Sequence, residues 1–153
     1  MHSEDIFHHR LLVLFIGISF FLLFFSVSPY LFYDSMRDWV TGFSVQLMSF
    51  VCHQNLQRTF FVDGMPAAVC GRCLGIYSGL FAGFFSYFWR NKFACYLRNA
   101  TFFLSLTSLV IVVDALSQWL ELWSGSNNQR FATGIFFGIS LSFYLVALLS
   151  KQK

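Results

Sequence analysis

The hydrophobic positions of this chain fall into long runs, with little of the alternation expected of strands. Leu11 to Ser28, LLVLFIGISFFLLFFSVS, carries no charge over nearly the length a helix needs to cross the hydrocarbon core. It predicts a membrane span from Leu11 to about Tyr33, breaking near Pro29, with Tyr30 and Tyr33 at the interface. The run is longer than the apolar core of a signal peptide, and Pro29 follows its one small-residue site, Ser26-Val27-Ser28, so it reads as an uncleaved helix. Met1–Arg10 ahead of it is a polar tail whose His2, His8 and His9 read as solvated. Further apolar runs predict spans over Leu74–Trp89, Thr101 to about Leu120, and Phe131 to about Leu149. Asp34–Val51 is more mixed. It predicts an interfacial or re-entrant helix at about Asp38–Val51, which leads into Cys52.

Two stretches break the apolar pattern. Arg58–Cys73 reads as a small non-helical hairpin, in which Phe60-Phe61-Val62 is extended in character and Asp63-Gly64 supplies the turn. Ser124–Arg130 reads as a polar turn. The predicted fold is therefore all-α: a four-span transmembrane helix bundle forming one integral membrane domain over residues 1–153. The short Cys-rich hairpin caps it at one membrane face.

Leading into and along the second span, Gly71, Gly75, Gly79 and Gly83 recur every four residues, and Gly134 and Gly138 repeat the spacing in the last. In lipid, helices associate by close packing, and such stripes mark their seams. They predict helix–helix contact, either inside the bundle or with a second copy or membrane partner.

Composition agrees with lipid as the solvent. Hydrophobic residues make up 57% and charged ones 11%, against about 25% charged in a soluble domain. Twenty-two phenylalanines exceed what a soluble core of this size takes. The net charge of +3 follows the span ends, which is a topological signal and not a nucleic-acid footprint. Arg10, Arg90, Lys92, Arg98, Lys151 and Lys153 fall on one side. The bias predicts a multi-pass protein of the cell (inner) membrane with cytoplasmic termini and the cysteine stretch outside.

The candidate chemistry lies in that stretch. Cys70-Gly71-Arg72-Cys73 is a C-x-x-C hinge, with Cys52-His53 upstream at a separation that a hairpin closes. Cys52, His53, Cys70 and Cys73 form a Cys3His set, which favours Zn²⁺. Adjacent side chains point different ways, so His53 is either the fourth ligand or an outer partner. A closed set would be structural, whereas an open position would activate water, with Asp114 as base. A second reading is a membrane thiol-disulfide oxidoreductase using Cys70 and Cys73, with Arg72 and the helix start lowering a thiol pKa. This plan is similar in layout to the membrane thiol oxidoreductases of disulfide formation and quinone reduction, but it strands Cys95 across the membrane. A structural disulfide from Cys52, or a non-enzymatic assembly or transport component, completes the alternatives. Asp114 and Gln118 lie one turn apart on the third span, and an intramembrane carboxylate marks function or a buried pair. With Arg130 as a second candidate catalytic group, they predict a polar cluster with Gln54, Arg58, Arg72 and Asn127 near the cysteines.

The pattern Cys52-His53-Gln54, Arg58, Cys70, Arg72, Cys73, Gly75, Tyr77 and Gly79, followed by Asp114, Gln118, Asn127, Arg130 and Thr133-Gly134, resembles the DUF2085 family of small prokaryotic membrane proteins. The resemblance runs from about Gln46 to Gly138. It implies an integral membrane protein with polar residues gathered at the cysteine motif, and it implies no reaction.

Overall fold

The computed structural model describes residues 2–31, 35–62, 64–86, 98–122 and 124–151. In chain order they form α1 (His2–Leu31), α2 (Ser35–Met48), β1 (Thr59–Val62), β2 (Met65–Cys70), α3 (Gly71–Phe85), α4 (Ala100–Trp119) and α5 (Asn127–Lys151), with a 3-10 turn at Leu56–Arg58. Asp63, Cys95 and the basic loop as far as residue 97 lie outside the described residues.

Among the described residues, three helices are long and apolar enough to cross a membrane: Arg10–Leu31, Ala100–Trp119 and Asn127–Leu149. Much of their surface is exposed and apolar, as at Leu14, Phe20, Leu109, Val113 and Phe136, which is what lipid solvation calls for. The predicted second span is shorter in its described part. Fifteen residues of α3 reach about 22 Å, against a hydrocarbon core of about 30 Å. Four spans are therefore not established by helix length alone. Helix α1 begins at His2 and passes through Pro29 to Leu31, so its backbone continues through the stretch read as a polar tail.

The all-α expectation needs one correction. The cysteine hairpin is a true two-stranded antiparallel sheet, with Thr59 opposite Cys70 and Val62 opposite Met65. Gly64 sits at φ +79 in its turn, a left-handed conformation that glycine adopts without steric cost. The stretch read as the Ser124–Arg130 turn is also partly helical, because α5 starts at Asn127. Ser126 and Gln129 cap it reciprocally: Gln129 N–H donates to Ser126 Oγ at 3.3 Å, and Ser126 N–H donates to Gln129 Oε1 at 3.0 Å. This is a capping box.

Helix α2 folds back along the end of α1. Ser28 and Ser44 hydroxyls meet at 2.6 Å in a fully buried contact, and Phe25 and Phe43 rings lie 5.8 Å apart. Its other face leaves Trp39 84% exposed, as suits a helix in the interface.

The glycine stripe of α3 packs inside the chain. Helices α3 and α5 run parallel, with Gly71 against Asn127, Gly75 against Phe131, Gly79 against Ile135 and Gly83 against Ile139 and Ser142. A Cβ on Gly75 would overlap the Phe131 carbonyl, and one on Gly138 would overlap the Ile76 carbonyl. The two stripes thus meet each other backbone to backbone, and neither is left as a free face. Helix α4 covers α5 in the opposite direction. Ala100 packs with Phe143 and Ala147 at one end, and Gln118 bonds Arg130 at the other. Leu12, Phe84 and Val146 close the end of the bundle remote from the hairpin.

Candidate metal centre

Cys52 leaves the last turn of α2, its N–H donating to the Met48 carbonyl at 2.9 Å. Two residues on, Gln54 takes a left-handed backbone, φ 48, and redirects the chain. Its side-chain amide then clamps two elements, donating to the Val45 carbonyl at 2.6 Å and the Ala68 carbonyl at 2.9 Å. This draws the end of α2 against β2 and sets Cys52 beside the end of the hairpin. Cys70 ends β2, and Cys73 follows in the first turn of α3.

The result is a compact thiol group. The sulfurs of Cys52, Cys70 and Cys73 all lie within 4.8 Å of one another, and none is in a disulfide. Cys52 is buried, and the other two are half-buried. Thiolates at about 2.3 Å around one tetrahedral zinc would sit about 3.8 Å apart, so small adjustments suffice to coordinate. Cys52 Sγ also accepts backbone N–H bonds from Gln54 at 3.5 Å and Cys70 at 3.3 Å. Such outer donors orient a metal-binding thiolate and stabilise its charge. The three thiols can therefore hold a metal ion. His53 is exposed and stands outside the group.

The Cys70 thiol is held well below its ordinary pKa by hydrogen bonds from the thiols of Cys52 and Cys73, helped by the backbone N–H groups of Cys73 and Arg72. Cys52 is pushed up, first by its hydrogen bond to Cys70. In metal-free protein Cys70 therefore ionises before Cys52 as pH rises. We expect iodoacetamide at pH 6 to label Cys70 at least ten times faster than Cys52, the gap narrowing as pH rises and Cys52 ionises. Peptide mass spectrometry of timed samples measures both. Equal labelling at pH 6 contradicts this assignment.

A polar chain ties the thiol loop to the last two helices. Arg72, between Cys70 and Cys73, pairs with Asp114 on α4. The other Asp114 oxygen accepts from Gln118 Nε2 at 2.8 Å, and Gln118 Oε1 accepts from Arg130 Nε at 2.9 Å. Arg130 Nη1 donates to Asn127 Oδ1 at 2.9 Å, and Asn127 Nδ2 donates to the Thr59 carbonyl at 3.0 Å. Five residues read from the sequence, Arg72, Asp114, Gln118, Asn127 and Arg130, are thus joined in one chain that returns to β1. Both oxygens of Asp114 are engaged, a geometry that holds α4 against α3. Arg58 is exposed, and Gln54 is a clamp on the backbone.

Sequence reasoning missed Tyr77 as a site residue. It packs in the buried cluster with Cys52, against which Cys73 also packs. The signal was its place one turn after Cys73.

Comparison with known proteins places the chain in a family. A family model described as "Predicted membrane protein (DUF2085)" matches residues 52–144, beginning at the first thiol. An uncharacterized protein of Methanocaldococcus jannaschii is 31% identical over 137 residues, covering 86% of this chain and 88% of that one. Another, from Methanothermobacter thermautotrophicus, is 33% identical over 95 residues, covering 61% of this chain and 82% of its own. No solved structure matches. With the model spanning the thiol group, the glycine seam and the polar chain, the protein belongs to the DUF2085 family of predicted membrane proteins.

Proposed function

We propose that the protein is a multi-pass membrane protein whose thiol group binds Zn²⁺. The observation that carries this reading is the convergence of three unbonded cysteine sulfurs within 4.8 Å. Cys52, Cys70 and Cys73 would be the thiolate ligands. Three protein ligands leave one tetrahedral position for His53 after a side-chain rotation, or for water or a substrate. Asp114 and Arg130 would position the loop from behind. The site lies at the end of the bundle where α3 and α5 begin, and we place that end outside the cell membrane, with both termini in the cytoplasm. In this reading α3 is the fourth span. It runs beside α5 throughout, and Phe84 at its far end meets Leu12 and Val146.

The test is metal content. Protein purified in mild detergent should carry about one zinc per chain by mass spectrometry, and Cys73→Ser should lose it. A metal-free protein in which Cys70 and Cys73 are oxidised to each other would overturn the proposal. It would favour the second reading, thiol-disulfide exchange, for which the lowered Cys70 thiol at the start of a helix is the specific support. A third role, assembly or transport without chemistry, would keep the fold and dispense with the thiols.

A further inference from the structure

Helices α3 and α4 both lie against α5, with little contact between themselves. The gap between them is a cleft of about 410 Å³ at the end of the bundle remote from the hairpin. Ala82 and Ser86, one turn apart on α3, form one wall, and Phe103 and Thr107 on α4 form the other. Phe136, Ser140 and Phe143 of α5 make the floor. Phe136 is 64% exposed, so the cleft opens on the side where lipid is the solvent. Along α3, Ala82 comes nine residues after Cys73, a rise of about 13 Å. Cleft and thiol group therefore occupy different ends of the molecule.

The lining decides what the cleft takes. Each of its hydroxyls donates to its own helix: Ser86 to the Gly83 carbonyl at 2.7 Å, Thr107 to the Phe103 carbonyl at 2.9 Å and Ser140 to the Phe136 carbonyl at 2.8 Å. A bound water needs several polar partners, and these walls do not offer them. An empty cleft would forfeit packing contacts along both walls. The occupant is therefore hydrocarbon, and the width of the cleft excludes a helix. Phe136 to Phe143 covers about 10 Å of α5, so a volume of about 410 Å³ gives a mean cross-section of about 40 Å². A helix with its side chains takes about 80 Å². A helix of a second copy does not fit, whereas a flexible aliphatic chain does. Arg98, two residues ahead of α4 at the same end, is exposed and makes no ion pair among the described residues. A cation at this level suits the headgroup of an anionic lipid.

We infer that the cleft between α3 and α4 is a binding site for an anionic phospholipid, with one acyl chain lying on α5 between Ala82 and Thr107 and the headgroup at the level of Arg98. The lipid completes the bundle where the side chains of α3 and α4 do not meet. The site shares no residue with the thiol group, so it stands or falls apart from the zinc reading.

The full chain is delipidated in uncharged detergent and titrated with phosphatidylglycerol, or with phosphatidylcholine of the same acyl chains, and native mass spectrometry counts bound lipid. We expect saturable binding of one phosphatidylglycerol per chain, at least threefold tighter than phosphatidylcholine. Ala82→Phe fills the cleft from an exposed position and should weaken binding at least tenfold. Thr107→Phe blocks it from the opposite wall and serves if Ala82→Phe does not fold. Ser105→Phe, exposed on α4 and off the cleft, should bind as the wild type does. Arg98→Gln should erase the preference for phosphatidylglycerol, and an unchanged preference overturns the headgroup assignment. A folded wild type that binds no lipid, or equal binding by wild type and a folded cleft variant, overturns the inference. A second copy that is released by Ala82→Phe, with no lipid bound, overturns it as well.

Discussion

Gly75→Leu is expected to leave little folded protein. The glycine lies where α3 and α5 touch through their backbones, and any Cβ there would overlap the Phe131 carbonyl. A flexible side chain in the way can swing aside, whereas a carbonyl inside a helix cannot. The helices must separate, and the register of four glycine contacts opens with them. Overpacking in a well-packed interior costs about 1–3 kcal/mol, and a backbone obstacle puts this change at about 3 kcal/mol or above. Gly42→Leu provides the control, since nothing lies within 4 Å of a Cβ at that position. Size-exclusion chromatography of detergent extracts should show at least a tenfold fall in monodisperse protein for Gly75→Leu and little change for Gly42→Leu. Equal yields would mean that α3 and α5 are not in backbone contact.

The second large effect is electrostatic. Asp114→Ala removes the partner of Arg72 in a place where the two side chains are 18% and 20% exposed. Breaking a buried pair by removing one partner costs about 3–5 kcal/mol, because the other charge is stranded. Partial exposure places this one near 3 kcal/mol. Asp114→Leu with Arg72→Leu should recover most of the loss, since no charge is then left alone. Thermal unfolding in one detergent checks both. A double variant as unstable as Asp114→Ala would show that the carboxylate does more than neutralise Arg72.

Much of this architecture was legible because lipid imposes a simple code. Uncharged runs gave α1, α4 and α5, and the four-residue glycine repeat gave a seam. The repeat could not name its partner: Gly134 and Gly138 have the same spacing, but contact with another chain satisfies that spacing equally well. The sheet was half legible. Asp63-Gly64 marked the turn, while strands of four and six residues are too short for their period to stand out. The start of α5 was not legible because Ser124–Arg130 has the composition of a turn, although Ser126 and Gln129 also carry the spacing of a capping box. Three cysteines were legible as a group, since C-x-x-C and a hairpin bring sulfurs together almost by geometry. His53 was not separable from Cys52, because neighbours in sequence look equally close until the backbone direction is known. The role of Gln54 had no sequence signature. It depends on one left-handed residue.

The parallel seam also bears on how the chain is made. Helix α3 carries glycines on its packing face and finds its match in α5, with α4 intervening in the sequence. A ribosome delivers these elements in order, so α3 is made before its partner exists. Its glycine face stays without its match through the synthesis of α4. The thiol residues are all translated before that point. A chain truncated ahead of Asn127 would therefore hold every candidate ligand and still lack the surface that braces them, which makes the last helix the step that commits the bundle to its final form.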